Sequence, residues 1–246
     1  MFSFFKKSSD NPKVTDFSFI GTDIHSHLIP GIDDGCTNIE NSIICIQKLK
    51  ELGFSKIITT PHIMAEVYPN TPKIIQEGLK TLKEALVEAN IDIDIDVAAE
   101  YKIDEQFTEL LESDNLLTFG DKYILVEFSF VAAPINLETT IFNLRTKGYR
   151  PIIAHPERYL YLSENLSKFE ELKALGCHLQ LNLMSLVNQY GGKANEVANK
   201  LLDMNVYDFF GTDLHRPEDL RILNKVLQSK SILSKISKLK HLNQKV

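Results

Sequence analysis

The chain has 246 residues, 43% hydrophobic and 24% charged, and a chain of that kind buries roughly 70–75% of the surface its unfolded form exposes, which excludes global disorder. Lys and Arg number 27 against 33 Asp and Glu, a formal net charge of −6, so the basic footprint of a nucleic-acid binder is missing. An anionic substrate then needs a local positive site, and bound divalent cations can supply one.

Along the chain, short apolar runs alternate with longer amphipathic stretches about seven times, the pattern of βα units around a parallel sheet. The runs are FSFIGTDIH, KIITTPH, IDIDVAAE, YILVEFS, PIIAHPE, HLQLNLM and VYDFFGTDLH. The first helix is expected to start at Thr37 as N-cap, with Glu40 three residues on, and to stop at Gly53. Further helices are expected over 73–88, 104–112, 137–146, 164–175, 193–203 and 217–228. The remaining tail, 229–246, carries five lysines, and its Ile232, Leu233, Ile236, Leu239 and Leu242 recur at helical spacing. It reads as an amphipathic helix, packed on the domain in preference to lying on an acidic membrane. No linker or repeat divides the chain, so one domain over 1–246 is expected, with its core at about 20–228.

His25, His27, His62, Glu100, Glu127, His155, Asp213 and His215 all fall at or just beyond the C-terminal ends of six of these runs. A closed barrel gathers such ends at one mouth, whereas an open sheet spreads them along a line. Five of the seven histidines lie at strand ends, His178 and His241 being the other two. Imidazoles with carboxylates suit zinc, manganese or iron, and eight ligands suit two or three ions rather than one. Arg158 and Arg216, close to His155 and His215, complete a candidate phosphate clamp. Together these groups point to a metal-dependent phosphoester hydrolase.

Cys36, Cys45 and Cys177 form no disulfide or zinc pattern. None begins the Cys-x5-Arg motif of a cysteine-dependent tyrosine phosphatase, because Ser42, Glu51 and Leu183 stand where the arginine belongs. No P-loop is present. No run approaches a membrane span, and residues 1–9 place a Lys-Lys pair after the apolar residues, the reverse of signal-peptide order. A cytoplasmic protein is expected.

DIHSHLIPGIDDG at 23–35, TTPH at 59–62, AAEY at 98–101, LVEFS at 125–129, IIAHPERY at 152–159 and GTDLH at 211–215 together resemble the polymerase and histidinol phosphatase (PHP) superfamily. Within it they resemble the bacterial metal-dependent tyrosine-protein phosphatases of capsule and exopolysaccharide biosynthesis. The resemblance spans about residues 20–220 and implies a distorted, TIM-like (β/α)7 barrel with a trinuclear site for manganese, iron, zinc or magnesium. It assigns the ligand role to the eight strand-end residues, with Glu100 as the bridge. It gives one of Asp33 and Asp34, in the Asp-Asp-Gly turn, the task of positioning an arginine or protonating the leaving phenolate. The implied activity is hydrolysis of phosphotyrosine by metal-activated water, on the tail of a membrane-associated polysaccharide tyrosine kinase. A small-molecule phosphatase of the histidinol-phosphate kind and a non-catalytic binding module are the alternatives. Where some relatives carry a basic run after His62, this chain has Ile63-Met64-Ala65-Glu66. Tyr68, Phe128, Phe130, Tyr159, Tyr161 and Tyr190 are the aromatic residues expected near the mouth to stack on a phosphotyrosine ring.

Overall fold

The computed structural model describes residues 14–246; the reading of residues 1–9 lies outside them. Among the described residues nine strands and eight α-helices follow in the order β1 (Thr22–Asp23), α1 (Ile39–Glu51), β2 (Lys56–Thr59), β3 (His62–Ile63), α2 (Pro72–Glu88), β4 (Asp94–Val97), β5 (Glu100–Lys102), α3 (Glu105–Glu112), β6 (Tyr123–Glu127), α4 (Leu137–Thr146), β7 (Arg150–Ala154), α5 (Ser167–Ala174), β8 (His178–Asn182), α6 (Gly192–Asp203), β9 (Phe209–Gly211), α7 (Leu220–Gln228) and α8 (Lys230–Ile236). Every strand pair is parallel.

The strands form two sheets, ordered β1-β2-β4 and β3-β5-β6-β7-β8-β9, rather than the expected single closed ring. The break comes from within two of the seven runs, each of which splits in two. Pro61 interrupts KIITTPH because it has no N–H to donate to a ladder. Two isolated bonds span the gap, from Ala98 N to Thr59 O (3.0 Å) and from Glu100 N to Pro61 O (3.1 Å). On the other side a parallel bridge, Ser26 to Leu214, links the segments that follow β1 and β9. Buried Asp23 pins the same junction by accepting from Thr212 N (2.9 Å) and Thr212 Oγ1 (2.7 Å).

Alternation along the strands sorts the core into two clusters. Ile124 and Val126 of β6 join the large cluster under the helices, while Tyr123 and Leu125 join a smaller one with Ile24, Ile58, Ala98, Ile152, Ala154 and Phe209. Glu127 continues the second face at the strand's end, so one period-2 pattern supplies both the core and a site residue.

Helix starts differ from expectation by local chemistry. Asn38, not Thr37, caps α1, its side chain accepting from Asn41 N at 2.9 Å, and Gly53 follows the helix at φ +103°, a conformation in which a Cβ is strained. A 3-10 turn over Pro217–Asp219 precedes α7, and α5 starts later than expected, at Ser167.

The tail is not one helix over 229–246. Helix α8 ends at Ile236 because the chain turns back to the sheet: Leu242 N donates to Asp208 O at 2.8 Å. Fully buried Asn243 then donates to Thr22 O (2.9 Å) and Phe210 O (2.7 Å) and accepts from Phe210 N (3.0 Å). One amide thus ties β1 to β9 below the core. Asn243→Ala leaves these buried backbone groups without partners, and a loss of about 3 kcal/mol is expected, measured as a lower denaturant midpoint with an unchanged slope.

Candidate metal centre

The eight strand-end residues meet at one mouth. Four overlapping groups have ligand atoms within 4.8 Å of one another: His25, His27 and Asp213; His25, Glu100 and His155; His62, Glu100 and Glu127; and His27, Asp34, His62 and His215. All eight expected ligands take part, and Asp34 joins them. His25, His27, His62 and Glu100 each belong to two groups, the sharing that bridged ions require.

Ring orientation is set from outside the cluster. His25 Nδ1 donates to Gln180 Oε1 (2.9 Å), His27 Nδ1 to Asp33 Oδ2 (2.9 Å) and His215 Nδ1 to the Asp213 carbonyl (2.8 Å). Each bond fixes the tautomer, leaving Nε2 for a ligand. The Nε2 atom of His25 lies 3.2 Å from Glu100 Oε2, 3.2 Å from Asp213 Oδ1 and 3.4 Å from His27 Nε2. Those separations are what donors adopt around a common cation at bonds of about 2.0–2.2 Å.

One test on the protein itself favours a cation. Glu100 is buried, and its Oε2 has no hydrogen-bond partner, nor have His62 Nδ1 and His155 Nδ1; such orphans are costly unless something binds them. Backbone conformation places two of the donors: His155 (φ 33°) and Asp213 (φ 52°) are left-handed, a turn that His and Asp adopt more readily than most residues. In β7, Ile152 and Ala154 face the small inner cluster, so strict alternation directs residue 155 outward; the left-handed turn instead brings its ring to Glu100, 3.0 Å away.

Protons compensate the charge when no cation does. Burial disfavours a charged His25, but Glu100 and Asp213 outweigh it and push its pKa up to about 9. His27 is raised well above its ordinary value because Asp33 overcomes the same penalty. Burial, reinforced by Glu100, raises Glu127 to about 9, whereas burial lowers His62 and His155 to about 4. Divalent cations held by His25, His27, His62 and Glu100 would invert this balance, because imidazole and carboxylate bind a metal only in their deprotonated forms.

The two aspartates of the turn separate by geometry. Asp33 lies behind His27 and also accepts from His62 N (3.0 Å) and Gly35 N (2.9 Å); a Cβ at Gly35 would collide with the His27 carbonyl, so the turn needs glycine. Asp34 lines the cavity, 3.6 Å from His62 Nε2 and 3.5 Å from His215 Nε2. Among the described residues neither aspartate pairs with an arginine. Arg158 instead donates to Asp213 Oδ2 (3.0 Å) and stacks between Phe130 (4.5 Å) and Tyr190 (4.2 Å), so it supports an expected ligand as well as facing the cavity. Arg216 is exposed on the cavity wall.

That cavity, about 550 Å³, is lined by Tyr68, Phe128, Phe130 and Tyr190 but not by the other two aromatics expected there. Tyr159 is buried, stacked on Phe128, with its hydroxyl accepting from Phe128 N. Sequence reasoning passed over Gln180, Asn182, Asp23 and Lys102. Asn182 donates to Asp213 Oδ2 (2.7 Å) and to Tyr190 OH (3.0 Å), and Lys102 lines the cavity two residues beyond Glu100 on the same strand. The signal for Gln180 and Asn182 was present, as two polar residues inside the apolar run HLQLNLM. Gly211 permits the crowding, since a Cβ there would fall 2.7 Å from both Gln180 Nε2 and His25 Cβ.

Residues 21–238 match the family model described as capsular polysaccharide synthesis, CpsB/CapC, and the chain belongs to that family. It is 33% identical over 194 residues, 78% of this chain and 76% of the relative, to the tyrosine-protein phosphatase YwqE of Bacillus subtilis. A structure from the pair YwqE of Bacillus subtilis and CpsB of Streptococcus pneumoniae, described as metal-dependent tyrosine phosphatases, superposes with a TM-score of 0.74 at 30% identity, covering 90% of this chain and 94% of that one. A histidinol phosphate phosphatase of Lactococcus lactis, 13% identical with a TM-score of 0.53 over 85% of this chain and 92% of its own, shares the fold.

Gln180 belongs to none of the four donor groups, but its Oε1 accepts both from His25 Nδ1 (2.9 Å) and from His155 N (3.3 Å), so its removal loosens two of the histidines without deleting a donor. Gln180→Leu is expected to weaken Mn²⁺ binding by about 10–100-fold with the circular dichroism spectrum retained, as read by metal titration. Unchanged affinity would show that Gln180 does not orient His25.

Proposed function

We propose that this chain is a metal-dependent protein-tyrosine phosphatase of capsule or exopolysaccharide biosynthesis, cytoplasmic, acting on the phosphotyrosine tail of a membrane-associated polysaccharide kinase. The observation that carries the reading is the convergence of five imidazoles and four carboxylates on one mouth around the orphaned Glu100 oxygen. The named relatives and the shared CpsB/CapC family support the substrate class and the pathway. We read the two sheets, joined by the Ser26–Leu214 bridge, as the distorted (β/α)7 barrel of PHP proteins, forming one catalytic domain.

Residues His25, His27, His62, Glu100, Glu127, His155, Asp213 and His215 hold two or three divalent ions, manganese first, with iron, zinc or magnesium as alternatives. Bound there, such ions make water nucleophilic near neutral pH and neutralise phosphoryl oxygens. Arg216 and Arg158 grip the phosphoryl group by charge-assisted hydrogen bonds. Tyr68, stacked on His62 at 5.7 Å, and Phe130 on the Arg158 side bracket the phenyl ring. Burial opposes ionisation of Asp34, but His215 and His62 hold its carboxyl below the usual range, which suits an ionised ligand better than a proton donor. Asp33 acts through His27. No helix among the described residues is long and apolar enough to cross a membrane.

Chelation is expected to abolish hydrolysis of a phosphotyrosine peptide and Mn²⁺ to restore it. Thiol alkylation is expected to leave activity intact, since all three cysteines are buried and none lies among the ligands. Activity that survives chelation, or loss on alkylation of folded protein, contradicts the mechanism.

The two arginines are expected to differ. Arg216→Ala keeps its metal and loses about tenfold in kcat/KM, the value of one charge-assisted contact at an exposed position. Arg158→Ala also removes one of the three donors that hold Asp213 Oδ2, and the only charged one, so metal content falls and transition-state stabilisation drops by about 2–4 kcal/mol. Metal analysis beside steady-state kinetics of the same preparations distinguishes the two, and equal metal loss in both variants would refute the division of roles.

A further inference from the structure

Most of the surface mixes polar with apolar side chains, but the segment after β6 does not. Val131, Ala132, Ala133 and Ile135 are exposed, Val131 by 87% and Ile135 by 100%, with Pro134 half-buried among them. Single apolar residues on a surface are ordinary, whereas an uninterrupted exposed run of this length is a liability unless it serves a function. The run begins at the candidate active site, since Phe130 lines that cavity. It ends at a second surface cavity of about 390 Å³, lined by Pro134, Ile135, Leu137, Leu162, Leu172 and Leu175.

We propose that this strip is a docking site for the protein substrate, in which an aliphatic side chain near the phosphotyrosine enters the second cavity while the phosphotyrosine occupies the first. The inference rests on the phosphatase reading above. Ile135 stands five positions after Phe130, so the two lie at most about 18 Å apart, a span that roughly five or six residues of extended peptide cover. Other occupants fit less well. The charged residues lining the second cavity are of both signs, Glu138, Lys168 and Glu171, whereas segments that lie on membranes are rich in Lys and Arg. The strip leads directly from the active-site cavity to the second one, which ties its occupant to the molecule that enters the active site.

The test uses the full chain loaded with Mn²⁺ and four substrates: p-nitrophenyl phosphate, two phosphotyrosine peptides with leucines four to six residues before or after the phosphotyrosine, and the same peptide with glutamines there. Wild type is expected to prefer one leucine peptide over the glutamine peptide by about tenfold in kcat/KM, through KM, the scale of burying one aliphatic side chain. The V131N/I135N variant, altered only at solvent-facing positions, is expected to lose that preference and to hydrolyse p-nitrophenyl phosphate at the wild-type rate. No leucine preference in wild type, or its persistence in the variant, overturns the docking site. So does unchanged peptide kinetics in a variant that has lost self-association in sedimentation or binding to phosphatidylglycerol vesicles, because the strip then serves a second copy or a membrane. Failure of the metal-loaded wild type to hydrolyse any of the four overturns the phosphatase reading and the docking site with it.

Discussion

Glu100 is 1% exposed, and its Oε2 stands 3.1 Å from His62 Nδ1, 3.2 Å from His25 Nε2 and 3.5 Å from His27 Nε2 without a hydrogen bond to satisfy it. A buried carboxylate costs several kcal/mol unless it is compensated, and here the imidazoles around it come from two separate segments, the one that follows β1 and the one at β3. The rest of the architecture keeps these groups together. Thr212 is locked to Asp23 so that Asp213 faces His25, the left-handed turn at His155 redirects its ring, and Asn243 ties β1 to β9 from below.

Support extends outward in connected hydrogen bonds. Asp213 Oδ2 receives Arg158, Asn182 and Tyr190, and Asn182 N in turn donates to Glu157 Oε1. Burial pushes the pKa of Glu157 up to about 7 even though Ser185, Asn182 and Tyr207 all donate to it. Such networks immobilise the side chains of the candidate metal centre, which is how a site gains precision beyond the donors themselves. The formal charge of −6 also makes sense in this light. Cations held at one mouth would let an anionic substrate bind without a basic surface, because local charge and not net charge governs binding.

Much of this was legible in the sequence. Strand-end positions, the two-residue spacing of His25 with His27 and of Asp213 with His215, and the clustering of histidines depend only on periodicity, which is local. The helix over 137–146 was likewise readable from its amphipathic pattern and is found at Leu137–Thr146. What depended on partners distant in the chain was not readable. Asp33 and Asp34 are adjacent and alike, yet one sits behind His27 and the other lines the cavity, a difference decided by how the turn packs on β3.

The sequence by itself determined a parallel α/β protein with imidazoles and carboxylates at its strand ends, because alternation along a strand is a property of the backbone. Only the tertiary structure decided the split into two sheets at Pro61, the pairing of His25 with Gln180 across 155 positions, the engagement of Arg158 by Asp213 across 55, and the return of the tail to cap the sheet. Each of those depends on which segments come to lie side by side, and the cost of closing such long loops grows only slowly with their length, so sequence separation carries almost no information about who meets whom.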